Sequence, residues 1–161
     1  MSFWLFAMTS ASEAQEEKFK AIFIYNFTKY INWPPNTGNF VINILGNDAI
    51  INEIEGIASK KTVGNTQIET KRVNSTAEIA NCQILFITAG KMDMLAEAFL
   101  VAKRKKILLI TEKPNAIKNG SCINFVIRDG KLTFEISKSN IELCGLEVSS
   151  DLLKMGIGTN N

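Results

Sequence analysis

The feature that most constrains the fold is a pair of short, almost uninterrupted apolar segments with a helical pattern between them. These segments are residues 82–87 (CQILFI) and residues 107–110 (ILLI). A strand that is apolar along both faces has to be covered on both faces, as in a parallel sheet. Between the segments, apolar residues recur at helical spacing, namely Met92, Leu95, Ala96, Phe99 and Ala102. The pattern predicts a strand, a crossover helix and a second, parallel strand, joined by a right-handed connection.

Apolar residues on either side extend this unit. Phe40–Leu45 predicts a third buried strand, residues 50–57 predict a short helix, and residues 67–73 predict a weaker strand near an edge. Short helices are expected over residues 139–144 and, after a serine cap, up to residue 155.

A β-hairpin is predicted near the C-terminus. Apolar residues alternate with polar ones over residues 123–127 and again over residues 132–136. Asp129 and Gly130 lie between the two runs, and this dipeptide is favoured in a type I′ turn. Together these elements predict an α/β three-layer sandwich with a mostly parallel central sheet and the hairpin at its edge.

A first helix is predicted over residues 14–31. Its apolar positions recur at steps of three and four and form one stripe, namely Phe19, Ile22, Phe23, Phe27, Tyr30 and Ile31. The helix has to end near Asn32 and Trp33, because Pro34 lacks a backbone N–H and disfavours helical geometry in the residue before it.

The residues before this helix are similar to the end of a secretory signal peptide. Residues 3–8 are apolar, and Ser12 and Ala14 have the spacing of the small residues at a cleavage site. No positive charge precedes the apolar run, so an ordinary beginning of the first helix is the alternative interpretation. We expect residues 1–14 to be a residual signal peptide and residues 15–161 to form a single exported domain.

Several classes of function are excluded by composition. The chain contains no histidine, so it cannot form a Ser-His-Asp or Cys-His nucleophilic site or an imidazole metal site. An enzyme that uses Asp or Glu alone is the remaining catalytic alternative. No spacing pairs Asp93, Glu97 or Glu135 for acid–base work, however. We therefore expect no enzyme activity, no cofactor and no metal. The formal net charge of +2 argues against nucleic acid as a partner.

Three cysteines, Cys82, Cys122 and Cys144, allow at most one internal disulfide. Cys82 and Cys122 each begin an apolar segment, where a thiol behaves as a small buried hydrophobic group. Free buried thiols are therefore expected, and a bridge between two chains is the alternative in an oxidising compartment.

Three of the predicted strands run directly into polar turns. The carboxyl ends of parallel strands face a common crevice in which ligands bind, so these turns form a candidate site for a small polar or anionic ligand. The candidate residues are Gly46, Asn47, Asp48, Thr88, Gly90, Lys91, Thr111 and Glu112. The alternative is that they are ordinary turn and cap residues, because Asn, Asp, Thr and Gly are preferred there without any ligand.

The end of the first helix carries an unusual combination of residues. Residues 20–34 read KAIFIYNFTKYINWP, with an Asn beside the apolar stripe and a Trp directly before the Pro. A buried Asn there needs hydrogen-bond partners, for which the backbone of a neighbouring loop is expected. The segment resembles the opening signature of the YfiR family of bacterial periplasmic proteins, and the order and spacing of later segments agree from residue 18 to residue 155. The signature residues, expected to be mainly structural, are Tyr25, Asn26, Phe27, Lys29, Tyr30, Trp33, Pro34, Gly120, Asn124 and Phe125.

The resemblance implies a periplasmic, homodimeric α/β domain without catalysis. Characterised family members restrain a membrane-bound diguanylate cyclase by binding its periplasmic sensor region, and an outer-membrane lipoprotein relieves the restraint. The output is cyclic di-GMP signalling and hence biofilm formation. The implied partner is therefore the periplasmic sensor region of an inner-membrane signalling protein. A carrier or sensor that binds a small ligand in the crevice is the alternative function.

Cysteine usage departs from the family pattern. Some members contain disulfides, and Cys82 and Cys122 match half-cystine positions of those members. No cysteine stands where the partners of these two are expected. The resemblance therefore does not extend to redox-controlled stability.

Overall fold

The computed structural model describes residues 3–46 and 49–159, and the side chains of residues 13–46 and 49–159. Within these residues the helices are α1 (Phe3–Phe27), α2 (Ala49–Ala58), α3 (Leu95–Lys105), α4 (Lys138–Leu143) and α5 (Ser150–Met155). The strands are β1 (Ile31–Asn32), β2 (Phe40–Leu45), β3 (Thr62–Val63), β4 (Thr66–Val73), β5 (Ile84–Ile87), β6 (Leu108–Thr111), β7 (Ile123–Arg128), β8 (Lys131–Ile136), β9 (Glu147–Val148) and β10 (Ile157–Gly158). Short 3-10 turns cover Thr76–Glu78, Ala89–Met94 and Ile117–Asn119.

A curled, mixed sheet in the order β10-β8-β7-β6-β5-β2-β4-β3 forms the centre of the described part of the chain. The five consecutive strands from β4 to β7 are parallel, whereas β8 pairs with β7 and β3 pairs with β4 in antiparallel fashion. Every residue of β5 and β6 is buried. The predicted α/β class and the mostly parallel sheet are thereby confirmed.

Helices cover both faces of this sheet. The ring of Phe125 on β7 contacts the rings of Phe23 and Phe27 on α1. Cys122 lies three positions before Phe125 and contacts Cys144, the residue directly after α4. Because successive strand side chains point to opposite faces, α1 and α4 lie on opposite sides of the sheet, as a three-layer sandwich requires.

The hairpin of β7 and β8 forms as predicted. Arg128 pairs with Lys131 across a two-residue turn, in which Asp129 and Gly130 both have positive φ, 52° and 73°. This is the geometry of a type I′ turn, which the Asp-Gly pair favours. Beyond the hairpin, the two residues of β10 pair with β8 and form the last strand on this side of the sheet.

Helix α1 ends at Phe27, so the prediction that it continues to residue 31 is wrong. The next three backbone N–H groups bond three residues back in a tight turn, starting with Thr28 N to Tyr25 O at 3.1 Å. The Thr28 hydroxyl also donates to Tyr25 O at 2.6 Å. Residues Ile31 and Asn32 then pair with β9. The chain leaves the helix early because these residues gain sheet hydrogen bonds, which a helix running into Pro34 cannot provide.

The predicted apolar stripe of α1 is only partly buried. Phe27 is 1% exposed and belongs to the core, but Phe19 and Ile22 are 45% and 38% exposed. The buried side of the helix instead includes Ala21 and Ile24. The prediction that Phe19 and Ile22 are buried is wrong, because the side of α1 that packs on the hairpin is the side that carries Phe27. The ring centroids of Phe27 and Phe134 are 4.9 Å apart. No helix of the described residues is both long and apolar enough to cross a bilayer.

Candidate functional site

The predicted crevice at the carboxyl ends of the strands contains a cavity of about 370 Å³. Predicted residues that line it are Gly46, Thr88, Gly90, Lys91 and Glu112. Arg72, near the end of β4, borders it as well. Gly46 has a φ of +124°, and an added Cβ would collide with the Thr88 hydroxyl, so this close approach requires glycine. Asn47 and Asp48 of the prediction lie outside the described residues.

Thr111, also predicted for this crevice, lies apart from the cavity. It is fully buried, and its hydroxyl lies 2.8 Å from Asn124 Oδ1 and 2.6 Å from Ser121 Oγ. Asn124 Oδ1 accepts from Lys113 N at 3.0 Å, and its Nδ2 donates to Glu135 Oε1 at 2.9 Å. Asn124, a signature residue, therefore joins β8 to the turn that follows β6. The carboxylate of Glu135 is held in this network.

Glu112 closes one side of the cavity with an ion pair that the sequence analysis missed. Its Oε1 accepts from Ala89 N at 2.8 Å, and its Oε2 accepts from Lys20 Nζ at 2.8 Å. Lys20 Nζ also lies 2.9 Å from the carboxylates of Glu16 and Glu17. The side chain of Lys20 is only 6% exposed and that of Glu112 only 15%. This Lys20 cluster, with Glu16, Glu17 and Glu112, ties α1 to the carboxyl ends of β5 and β6.

The charge of Lys20 is stabilised by its partners. Burial alone lowers the pKa of its ammonium group, but hydrogen bonds to Glu112 and Glu17 outweigh that effect and raise the pKa above its ordinary value. The spacing of Glu16 and Glu17 to Lys20 on a predicted helix was the available signal for this cluster. Glu112 lies 92 residues away in the chain, and no local pattern indicates it.

Several signature residues have structural contacts. The indole N–H of Trp33 donates to Thr28 O at 2.9 Å, and its ring packs edge-on against Phe40, with centroids 5.0 Å apart. Gly120 has a φ of +109°, and an added Cβ would collide with the Phe99 ring. Phe125 packs on Phe86 with centroids 6.1 Å apart. Pro34 and Tyr30 are half-buried, and Tyr30 packs against the core.

Other signature residues lie on the surface, in a groove of about 570 Å³ between α1 and α2. We call this the basic groove. It is lined by Lys18, Ile22, Tyr25, Asn26, Lys29, Glu53, Gly56, Ile57, Ser59, Lys60 and Lys61. Asn26 was expected to bond the backbone of a neighbouring loop, but its Oδ1 accepts from Lys29 Nζ at 3.3 Å instead. Lys29 Nζ also lies 4.9 Å from the centroid of the Tyr25 ring, an attractive cation–π arrangement.

All three cysteines are buried free thiols. Burial raises the pKa of Cys82 to about 12. Cys122 Sγ donates to Cys144 Sγ at 3.8 Å, and this hydrogen bond together with burial raises the pKa of Cys122. Among the described residues, no group of three Cys, Asp or Glu side chains is placed to hold a metal ion.

Comparison with known proteins identifies relatives at the level of family and fold. The family model described as YfiR/HmsC-like matches residues 17–157. A crystal structure of a conserved domain protein from Vibrio cholerae O1 biovar El Tor strain N16961 is similar, with a TM-score of 0.63 and 11% identity. The similarity covers 89% of this chain and 60% of that chain, and at this identity it shows the fold alone. No match to a curated protein was found. The family model spans residues 17–157 of the 161 residues of this chain, so the chain belongs to the YfiR/HmsC-like family.

Proposed function

We propose that this chain is a periplasmic regulatory binding protein that restrains a membrane-bound signalling protein, specifically a diguanylate cyclase, by engaging its periplasmic sensor region. The observation that carries this proposal is the family match over residues 17–157. The family is regulatory and not catalytic. The export-like pattern of residues 1–14 supports a periplasmic location.

Restraint of this kind requires the chain to distinguish two states of its partner. An equilibrium shifts only by the difference in affinity for the two states. Moving a sensor from 99% active to 99% inactive takes about a 10⁴-fold preference for the inactive state. A scaffold whose central strands β5 and β6 are buried throughout supplies a rigid surface for that discrimination.

Crosslinking in intact cells tests this proposal. The tagged mature chain is crosslinked in the periplasm, purified under denaturing conditions and analysed by mass spectrometry. We expect a membrane protein with a periplasmic sensor region and a cyclase output to co-purify, and to be absent when an unrelated exported domain carries the tag. Recovery of no membrane signalling protein would contradict the proposal.

Two further partners are part of the proposal, a second copy of the chain and an outer-membrane lipoprotein that lifts the restraint. Light scattering of the purified domain tests the first, with a dimer mass expected and a monomer mass at all concentrations contradicting it. The same crosslinking experiment tests the second.

A small-ligand sensor is a second candidate function, favoured by the cavity at Gly46, Thr88 and Gly90. Arg72, Lys91 and the Glu112 carboxylate border this cavity. Because Glu112 is paired with Lys20, the lining favours an anionic metabolite. A bound ligand raises the unfolding temperature, by an amount that grows with its concentration. Thermal unfolding with a library of anionic metabolites tests this candidate, and the absence of any shift would contradict it. Such a ligand would bias partner binding, so the two functions are compatible.

A further inference from the structure

The basic groove concentrates positive charge in a chain that is almost neutral. The whole sequence has 18 Lys and Arg against 16 Asp and Glu. The groove alone has Lys18, Lys29, Lys60 and Lys61 against the single carboxylate of Glu53. Lysines on α1 or directly after α1 and α2 therefore face the same groove. Like charges held close together repel one another.

Within the described part of the chain, no carboxylate neutralises these lysines. Among residues 13–46 and 49–159, none of the four lysines forms an ion pair with a carboxylate. Of the four, Lys29 alone has a side-chain hydrogen bond or ring contact within the described residues, and its partners are the Asn26 amide oxygen and the Tyr25 ring. The positive charge is thus available to an anionic group from outside the chain.

The floor of the groove is apolar. Ile22 is 38% exposed although it lies on a helix that packs on the sheet, and Tyr25 and Ile57 are half-buried beside it. A partner that fits has to supply apolar side chains for this floor and carboxylates for the lysines around it. The surface is concave, with a volume of about 570 Å³, so it suits inserted side chains better than the flat headgroup layer of a membrane.

We propose that the basic groove binds an acidic amphipathic segment of the partner protein. This inference rests on the proposed function, since the segment belongs to the periplasmic sensor region of the membrane signalling protein. Three signature residues, Tyr25, Asn26 and Lys29, then act in recognition and not only in packing. Charge complementarity of this kind determines which partner is accepted and how fast it associates, and salt weakens it.

A peptide titration tests the chemistry of the groove. The probe is a fluorescein-labelled amphipathic helical peptide with Leu on one face and Glu on the other, and the matched probe carries Gln in place of Glu. We expect the purified domain to bind the acidic probe at least about tenfold more tightly than the neutral one at low salt, and to lose most of this preference in about 0.5 M NaCl. Equal affinity for the two probes would overturn the proposal. Stronger binding to phosphatidylglycerol vesicles than to the acidic probe would also overturn it and would assign the groove to a membrane surface.

Matched variants place the binding in the groove. Lys60→Gln/Lys61→Gln removes two charges from it, and the control Lys118→Gln/Lys154→Gln removes two exposed charges that do not line it. We expect the groove variant to lose about tenfold in affinity for the acidic probe and the control to lose less than about threefold. Equal losses in the two variants would overturn the proposal. Circular dichroism establishes that both variants are folded.

The same two variants separate this inference from the proposed function. In the cell crosslinking experiment, capture of the signalling protein by the control but not by Lys60→Gln/Lys61→Gln supports the groove as the docking site. Equal capture by both variants overturns the groove and leaves the proposed function intact. Failure of the unmodified chain to capture a signalling protein contradicts the proposed function. In that case the peptide titration alone tests whether the basic groove binds an acidic segment.

Discussion

Helix α1 carries lysines on two sides, and the two sides differ in how the chain compensates the charge. Lys20 is buried and lies within 2.9 Å of three carboxylates. Lys18 and Lys29, on the same helix and the turn that ends it, are exposed and face the basic groove without a carboxylate partner among the described residues. A charge inside the fold has to be paired. An exposed lysine is not under this requirement, so the lysines of the basic groove remain able to pair with carboxylates of a partner protein.

This difference predicts opposite responses to substitution. Residues on the buried side, including Phe27 and Lys20, determine stability because they are packed and paired within the chain. For the exposed lysines of the basic groove we expect little contribution to stability and a contribution to recognition. The following predictions test this division, from the largest expected change in the free energy of unfolding to the smallest.

Phe27→Ala has the largest expected effect. Phe27 is 1% exposed and packs on Phe134 and Phe125, so removing its ring should lower the free energy of unfolding by about 4 kcal/mol. The control is Phe19→Ala on the exposed side of the same helix, for which we expect a loss of less than about 1 kcal/mol. Urea unfolding measures both, and similar losses would contradict the assignment of the two sides.

Lys20→Met tests the buried ion cluster. The variant leaves Glu112, whose side chain is 15% exposed, without its cation, and we expect a loss of about 3 kcal/mol. The control Lys138→Met removes an exposed pair, in which Lys138 and Glu142 are 63% and 58% exposed, and should cost no more than about 0.5 kcal/mol. If the two variants unfold at the same urea concentration, the Lys20 cluster does not stabilise the fold.

Trp33→Phe tests the end of α1. It removes the indole N–H that donates to Thr28 O but keeps an aromatic ring against Phe40. We expect a loss of about 1 kcal/mol, the usual net value of one hydrogen bond. Thermal unfolding with no change in midpoint would show that this contact does not hold the turn after α1.

Lys60→Gln/Lys61→Gln has the smallest expected effect on stability. Both side chains are exposed, so the free energy of unfolding should change by less than about 0.5 kcal/mol, and removing like charge from the groove favours a small gain. A loss above about 1 kcal/mol would assign these lysines to the structure and would remove the contrast between the two sides of α1.

Elements with a local signal were predictable from the sequence. The Asp129-Gly130 turn formed as expected because its backbone geometry depends on those two residues. The buried strands β5 and β6 followed from uninterrupted apolar runs. Ser149 caps the last helix, accepting from Asp151 N, because a hydroxyl at this position satisfies a free backbone N–H.

Features that depend on distant residues were not predictable. The early end of α1 reflects pairing of β1 with β9, whose two short strands carry no pattern of their own. Helical spacing indicates the pairs of Lys20 with Glu16 and Glu17. The contact of Lys20 with Glu112 depends on the topology of the whole fold. The apolar stripe of α1 could not distinguish a core position such as Phe27 from an exposed one such as Ile22, because a core and a partner select the same residue types.

Cyclic di-GMP measured in the native host tests the central claim most directly. The levels are compared in the parent strain, in a strain without this chain, and in that strain complemented with the intact chain. If the chain restrains a diguanylate cyclase, cyclic di-GMP rises on deletion and returns to the parental level on complementation. An unchanged cyclic di-GMP level on deletion would contradict the account.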